Sequence, residues 1–249
     1  MQNAALADLG LDATWAYEAI EISPEDFGSR LRDLPDLGFA GVNVTVPHKE
    51  AALAVADSAS DAATAIGAAN TLIFADGRIH AENTDGPGLL DAVADSSTAP
   101  TAGSRALVLG AGGAARAVVW SLVGAGAEVS IWNRTAAKAE ALAARFGAVA
   151  TDAPAAGDFD VIVNASAAGL GGGDGLSDLP LEAADFRPGQ TVVDMVYGQN
   201  PSTLLEAAHS AGATTIDGLE ILVRQGARSL KIWTGREPSL EVMRAAARG

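Results

Sequence analysis

The stretch NVTVPHKEAA, Asn43–Ala52, sets a lysine just beyond a run of alternating β-branched residues that a proline closes. Lys49 is one of three lysines, with Lys138 and Lys231, in a chain whose lysines and arginines total 16. Lysine is therefore not used here as routine surface charge, and an ammonium kept at this position is a candidate for specific chemistry. A second constellation lies in RALVLGAGGAARAVVWSLVGAGAEVSIWNRT, Arg105–Thr135, where an apolar strand runs into Gly110, Gly112 and Ala115 and an apolar helix follows. In this G-x-G-x-x-A spacing Gly110 permits a tight turn, and Gly112, with Gly113 beside it, lets the backbone approach a pyrophosphate. Ala115 allows close helix packing, and the helix N-terminus offers unpaired N–H groups to the anion. A glycine pattern alone fits a close-packed turn in an alanine-rich protein equally well; the strand before it and the helix after it give it weight. About 20 residues beyond such glycines an NAD site presents an acid to the ribose 2′-hydroxyl. This chain presents Asn133-Arg134-Thr135 instead, with Lys138 one helical turn on. A guanidinium there suits a 2′-phosphate, so NADP is favoured over NAD.

The elements that position these residues follow from the hydrophobic pattern. With 249 residues and 49% hydrophobic content the chain can bury one large core or two of ordinary size. Helix-like and strand-like segments alternate, which predicts an α/β architecture. Helices are expected over Met1–Leu9, from an N-cap at Ser23 with Pro24 in first position, and from about His48 to Ala63. Strands are expected over Thr14–Ile22 and up to Pro47, and two more flank Asp76-Gly77, a type I′ hairpin signal. Ala94–Ser104 reads as a connection, and the glycine-rich tract Ala168–Asp178 as a flexible loop.

The net charge of -15 opposes binding to nucleic acid and to anionic membrane. Cysteine is absent and His48, His80 and His209 lie far apart, so no metal site is expected. The segment MQNAALADLGLD carries acids in place of a basic leader region, and no apolar run approaches the roughly 18 residues of a membrane span. A cytoplasmic location is the expectation.

NVTVPHK, GAANTL, NTDG, GAGGAARA, NRT, NASAAG, DMVY before Pro201, and DGLEILVRQGA leading to IWTG occur in this order along the chain. Together they resemble the signatures of the shikimate dehydrogenase family over nearly its whole length. The resemblance implies a Rossmann-type doubly wound NADP domain over residues 86–218 and an α/β substrate domain over residues 1–85 and 219–249. It places the active site in the cleft between them. The implied reaction is the reversible, NADP-dependent reduction of 3-dehydroshikimate to shikimate, in a monomer or homodimer.

Lys49 matches the family's catalytic lysine and Asp85 the carboxylate beside it at the reacting hydroxyl. Thr45, Asn70, Tyr197 and Gln225 resemble substrate-binding residues. Ala165 and Ser166 resemble the adenosine-side loop, and Met195 and Gly218 would border the nicotinamide. His48 reads as a helix-start residue rather than a base.

The family opens with a strand and a loop ending in a Ser-x-Ser-Pro-like stretch, and this sequence starts just after that point. The expectation is a substrate domain lacking its first strand and the hydroxyls that grip the substrate carboxylate. A shortened gene product is favoured over a natural variant as the explanation. Two other readings remain beside the leading one: a sibling acting on quinate or an amino analogue, and a nucleotide-binding protein without turnover.

Overall fold

The computed structural model describes residues 1–95, 103–170, 173–198 and 201–249. Most of the expected connection Ala94–Ser104 and two residues of the glycine-rich tract lie outside the described residues. Contacts divide the chain into one unit of Met1–Asp85 with Val223–Gly249 and another of Gly86–Leu222. No helix among the described residues is long and apolar enough to cross a membrane.

The first unit opens with α1 (Gln2–Asp8) and α2 (Phe27–Asp33), then β1 (Gly41–Asn43), α3 (Lys49–Val55), β2 (Ser58–Ala59), α4 (Asp61–Ile66), β3 (Thr71–Ala75) and β4 (Arg78–Glu82). Its four strands lie in the order β1-β3-β4-β2. The β3–β4 hairpin turns through Asp76 and Gly77 at φ 52° and 69°, both positive, as the type I′ turn requires. One core gathers Phe27, Leu31, Val44, Ala52, Leu72 and Ile79.

Three local expectations are corrected. Thr14–Ile22 forms no strand: it starts in a turn, where Thr14 N–H and Trp15 N–H both donate to Leu11 O, and runs on without regular structure. The main-chain groups of Tyr17 are held by the Asn3 side chain, at 2.7 Å to its N–H and 2.9 Å from its C=O. Alternate main-chain groups of the strand segment that contains β1 pair with β3: Val44 N–H donates to Asn70 O at 2.8 Å, and Ala40 O accepts from Phe74 N–H at 2.9 Å. Gly41 and Asn43 therefore direct theirs to the other edge. There a groove lined by Ala16, Glu18, Ile20, Gly41 and Asn43 replaces a ladder. The alternation of the sequence was sound, but a strand needs a neighbour. Amides of Ala16, Glu18 and Ile20 are accordingly expected to exchange with solvent nearly unprotected, while those of Leu72 and Phe74 are slow. Equal protection in both segments, read by hydrogen-exchange mass spectrometry, would contradict this.

The expected helix His48–Ala63 breaks into α3 and α4. Asp57 turns its carboxylate to the Ile79 amide at 2.8 Å, and Ser60 caps a new helix by accepting from Ala63 N–H at 3.2 Å. Short polar side chains here compete with helix continuation. Residues Pro24–Asp26 form a turn, with Ser23 Oγ accepting from Asp26 N–H at 3.2 Å, so α2 begins at Phe27 rather than just after Ser23.

The second unit holds most of α5 (Asp85–Asp95), then β5 (Arg105–Leu109), α6 (Gly113–Gly124), β6 (Glu128–Trp132), α7 (Ala136–Phe146), β7 (Val149–Ala150), β8 (Val161–Asn164), β9 (Thr191–Asp194), α8 (Thr203–Ser210) and β10 (Thr214–Ile216). Six parallel strands lie in the order β10-β9-β8-β5-β6-β7. Ala106 and Val108 of β5 pack with α6 residues on one face, and Leu107 and Leu109 with α8 residues on the other. Both faces are covered, so strand residues are apolar without alternation. This is the doubly wound arrangement the sequence implied, and the order reverses between β5 and β8, where such sheets bind ligands beyond the strands' carboxyl ends.

The chain ends in α9 (Gly218–Thr234) and α10 (Leu240–Arg248). Val223, Ala227 and Leu230 of α9 and Met243 of α10 join Ala5 and Leu6 of α1 in a second core of the first unit.

Candidate active site

In the first unit Lys49 opens α3 and Asp85 opens α5. Lys49 Nζ donates to Asp85 Oδ2 at 2.7 Å, and the two side chains are only 16% and 8% exposed. A charge-assisted bond this short and this shielded holds both groups in one geometry. The other oxygen, Asp85 Oδ1, accepts from Asn70 Nδ2 at 2.9 Å. Asn70 Nδ2 also lies 3.0 Å from Gln225 Oε1 and 3.0 Å from Thr84 Oγ1, while its Oδ1 accepts from Thr84 N–H at 2.7 Å. Asn83 accepts from Asp85 N–H at 3.1 Å and donates to Ala68 O at 3.0 Å. Each of the three residues Asn83, Thr84 and Asp85 thus has a separate task, and all are buried.

Beneath this pair lies a polar cluster that the sequence did not disclose. Asn43 Nδ2 donates to Ser229 Oγ at 2.8 Å and to Thr71 Oγ1 at 3.1 Å, and Thr71 Oγ1 lies 2.7 Å from Ser229 Oγ. Tyr17 OH donates to Asn43 Oδ1 at 3.0 Å, and burial raises the pKa of its phenol, which keeps it a donor. Two signals were available: Asn43 and Thr84 lie inside quoted motifs, and Ser229 follows Gln225 by four residues on one helix face. Thr45 is exposed, and among the described residues its hydroxyl has no hydrogen bond. His48 stacks on Phe27 with ring centroids 4.5 Å apart, and its Nε2 meets Ile22 O at 3.0 Å. It secures the entry to α3.

In the second unit Gly110 has φ 118°, and a Cβ there would lie 2.8 Å from Ala165 O. Gly112 occupies the N-cap of α6 with no side chain capping it, and a Cβ on Gly112 or Gly113 would meet nothing within 4 Å. The first amide bonded within α6 is that of Arg116, to Gly112 O at 3.0 Å, which leaves the preceding amides for an anion. Ala115 is fully buried in the core. At the end of β6 Arg134, Thr135 and Lys138 are exposed, and Asn133 Nδ2 fixes the turn by donating to Thr135 O at 2.9 Å. Ala165 and Ser166 follow β8, and Ser166 N–H and Oγ both donate to Asn164 Oδ1, at 3.1 and 2.6 Å. Met195 and Tyr197 follow β9, Tyr197 being 56% exposed. A Cβ on Gly218 would lie 2.6 Å from Met195 O. Open space before two glycines, an uncapped helix start and exposed cations after β6 suit a phosphorylated dinucleotide.

Gly110 and Gly112 should respond differently to alanine. Gly110→Ala combines a forbidden φ with a backbone clash, a strain of about 1–3 kcal/mol or more, so both the melting temperature and NADPH affinity fall. Gly112→Ala should melt with the parent yet bind NADPH more weakly, because its methyl enters the space a ligand would use. Unchanged NADPH fluorescence titration in Gly112→Ala would contradict this role.

Comparison with known proteins bears on the same residues. Residues 1–72 match the model of the shikimate dehydrogenase substrate binding domain, 92–169 that of shikimate / quinate 5-dehydrogenase, and 218–248 that of the shikimate 5'-dehydrogenase C-terminal domain. A shikimate dehydrogenase (NADP(+)) of Methanocella arvoryzae is 44% identical over 257 residues, spanning 100% of this chain and 92% of the relative. The chain belongs to the shikimate dehydrogenase family. Among solved family structures, shikimate 5-dehydrogenase from Thermus thermophilus, in complex with NADP(H) and shikimate, superposes with a TM-score of 0.91 at 40% identity, covering 99% of this chain and 92% of that one. Shikimate dehydrogenase from Aquifex aeolicus gives 0.91 at 36% identity, covering 100% and 91%. The family's substrate-domain model spans Thr45, Lys49 and Asn70, and its 92–169 model spans the glycine turn and Arg134.

Proposed function

We infer that this chain is an NADP-dependent shikimate dehydrogenase that reversibly reduces 3-dehydroshikimate to shikimate. The observation that carries the reading is the shielded Lys49–Asp85 pair, backed by Asn70, in a chain whose other unit carries a glycine turn and exposed cations suited to NADP.

NADPH, when bound, supplies the hydride for the carbonyl carbon. Lys49 supplies the proton: its ammonium donates to the carbonyl oxygen as that oxygen becomes a hydroxyl, and the residual exposure of the side chain lets the amine recover a proton from water. Asp85 Oδ2 accepts a hydrogen bond from the new hydroxyl and keeps Lys49 aimed at it. Asn70 fixes the carboxylate from the other side, so the pair cannot rotate away. In the oxidative direction the same groups take the hydroxyl proton. Thr45, Asn70 and Gln225 offer the hydroxyl and amide groups a polyol needs, and Tyr197 is assigned a further substrate contact. Arg134 and Lys138 are assigned the 2′-phosphate.

The direct test follows NADPH absorbance with 3-dehydroshikimate, with quinate and shikimate compared in the reverse direction with NADP. Turnover on 3-dehydroshikimate, with NADPH much preferred to NADH, is the expected result. NADPH binding without turnover would leave a non-catalytic nucleotide-binding protein, and faster oxidation of quinate than shikimate would move the chain to the sibling activity.

A further inference from the structure

β8 and β9 end side by side at Asn164 and Asp194, paired in register, and both side chains are fully buried. Asp194 Oδ1 accepts from Asn164 Nδ2 at 2.9 Å and from Val196 N–H at 3.0 Å, and Oδ2 accepts from Ser202 Oγ at 2.5 Å. Ser202 is the N-cap of α8. Asn164 passes the tie on: its Oδ1 receives Ser166 N–H and Oγ, and its main-chain O accepts from Met195 N–H at 2.9 Å. One carboxylate therefore joins the turn carrying Ala165 and Ser166, the turn carrying Met195 and Tyr197, and the start of α8.

Two acceptor oxygens facing three donors explain why a carboxylate stands here despite the cost of burying it. Desolvation pushes its pKa up, and hydrogen bonds from Ser202, Val196 and Asn164 oppose that shift. The joint lies at the carboxyl ends of the strands, where this sheet type binds its ligand.

We propose that Asp194 is a positioning residue for hydride transfer, holding the turns after β8 and β9 in the register that cofactor and substrate require. The proposal rests on the dehydrogenase reading, because its effect is read in turnover.

Asp194→Ala should lower kcat at least tenfold and weaken NADPH by a smaller factor, since the turns carrying Ser166 and Met195 shift while the glycine turn and Arg134 stay in place. Asp194→Asn should recover to within threefold of the parent: one oxygen remains for Asn164 and Val196, and the amide can donate to Ser202 Oγ. Should Asp194→Ala fail to fold, Ser202→Ala leaves the carboxylate in place, removes the Oδ2 bond together with the α8 cap on Leu205 N–H, and carries the test, with kcat down at least threefold and restored by Ser202→Thr, which supplies both bonds again. Parent-level kcat in Asp194→Ala or in Ser202→Ala, or equal losses in Asp194→Ala and Asp194→Asn, overturns the proposal. Amide exchange at Ser166 and Val196 gives a readout that needs no turnover. Faster exchange in Ser202→Ala, reversed in Ser202→Thr, in a parent that proves inactive would refute the dehydrogenase reading and leave the joint standing; unchanged exchange refutes the joint itself.

Discussion

Lys49→Ala is expected to lower kcat by about 10²–10⁴-fold, the usual contribution of positioned proton transfer, while NADPH binding stays within about threefold. The loss has two sources that a single variant would confuse. Alanine removes the proton donor, and it also leaves Asp85 buried without its cation, a change that destabilises shielded pairs by about 3–5 kcal/mol when the burial is complete. The residual exposure of both side chains makes the second effect smaller here. Lys49→Arg separates them. A guanidinium preserves the positive charge beside Asp85, but it does not give up its proton in proteins. Lys49→Arg should therefore melt near the parent and still turn over at least a hundredfold more slowly. If either variant keeps kcat within tenfold of the parent, the proton comes from elsewhere and the assignment of Lys49 fails.

What the sequence made legible was whatever a short segment decides alone. Gly110 favours glycine by its own positive φ, so the motif announces the β5–α6 junction locally, and the close approach of Ala165 O in the folded sheet only adds to that need. Asp76-Gly77 likewise encodes its turn locally. Pairing is not local: Thr14–Ile22 has the alternation of a strand, but the Asn3 side chain and not a neighbouring backbone holds Tyr17. The same division runs through the candidate site. Lys49 and Asp85 stood out by scarcity and motif, whereas Asn43 and Ser229 meet across 186 residues, a contact no spacing rule reaches. Asp194 was hidden differently. It sits in a quoted motif, but its importance lies in donors from two other segments, Asn164 and Ser202, that only the folded sheet brings to it.

The largest expected change in cofactor choice comes from Arg134→Ala. NADPH and NADH differ only in the 2′-phosphate, so a clamp on that group must alter one affinity and spare the other. Hydrogen bonds to a charged partner are strong enough that losing one or two lowers NADPH affinity by about 10–100-fold. NADH should change by less than threefold. The surroundings sharpen the contrast, because a chain of net charge -15 repels a polyanionic nucleotide, and Arg134 and Lys138 are local exceptions to that field. Distant acids act across more than the Debye length of about 8 Å at physiological salt, whereas a guanidinium in contact with phosphate does not. Raising ionic strength from about 0.01 to 0.15 M should thus relieve the repulsion more than it weakens the clamp in the parent, and NADPH affinity should hold or improve. In Arg134→Ala the same change should raise NADPH affinity more steeply, since with much of the clamp removed the relief of repulsion is the main effect left. Fluorescence titrations of both nucleotides at two salt concentrations read all of this. Equal losses for NADPH and NADH would show that Arg134 holds a part of the nucleotide common to both, and the preference for NADP would have to reside in other residues.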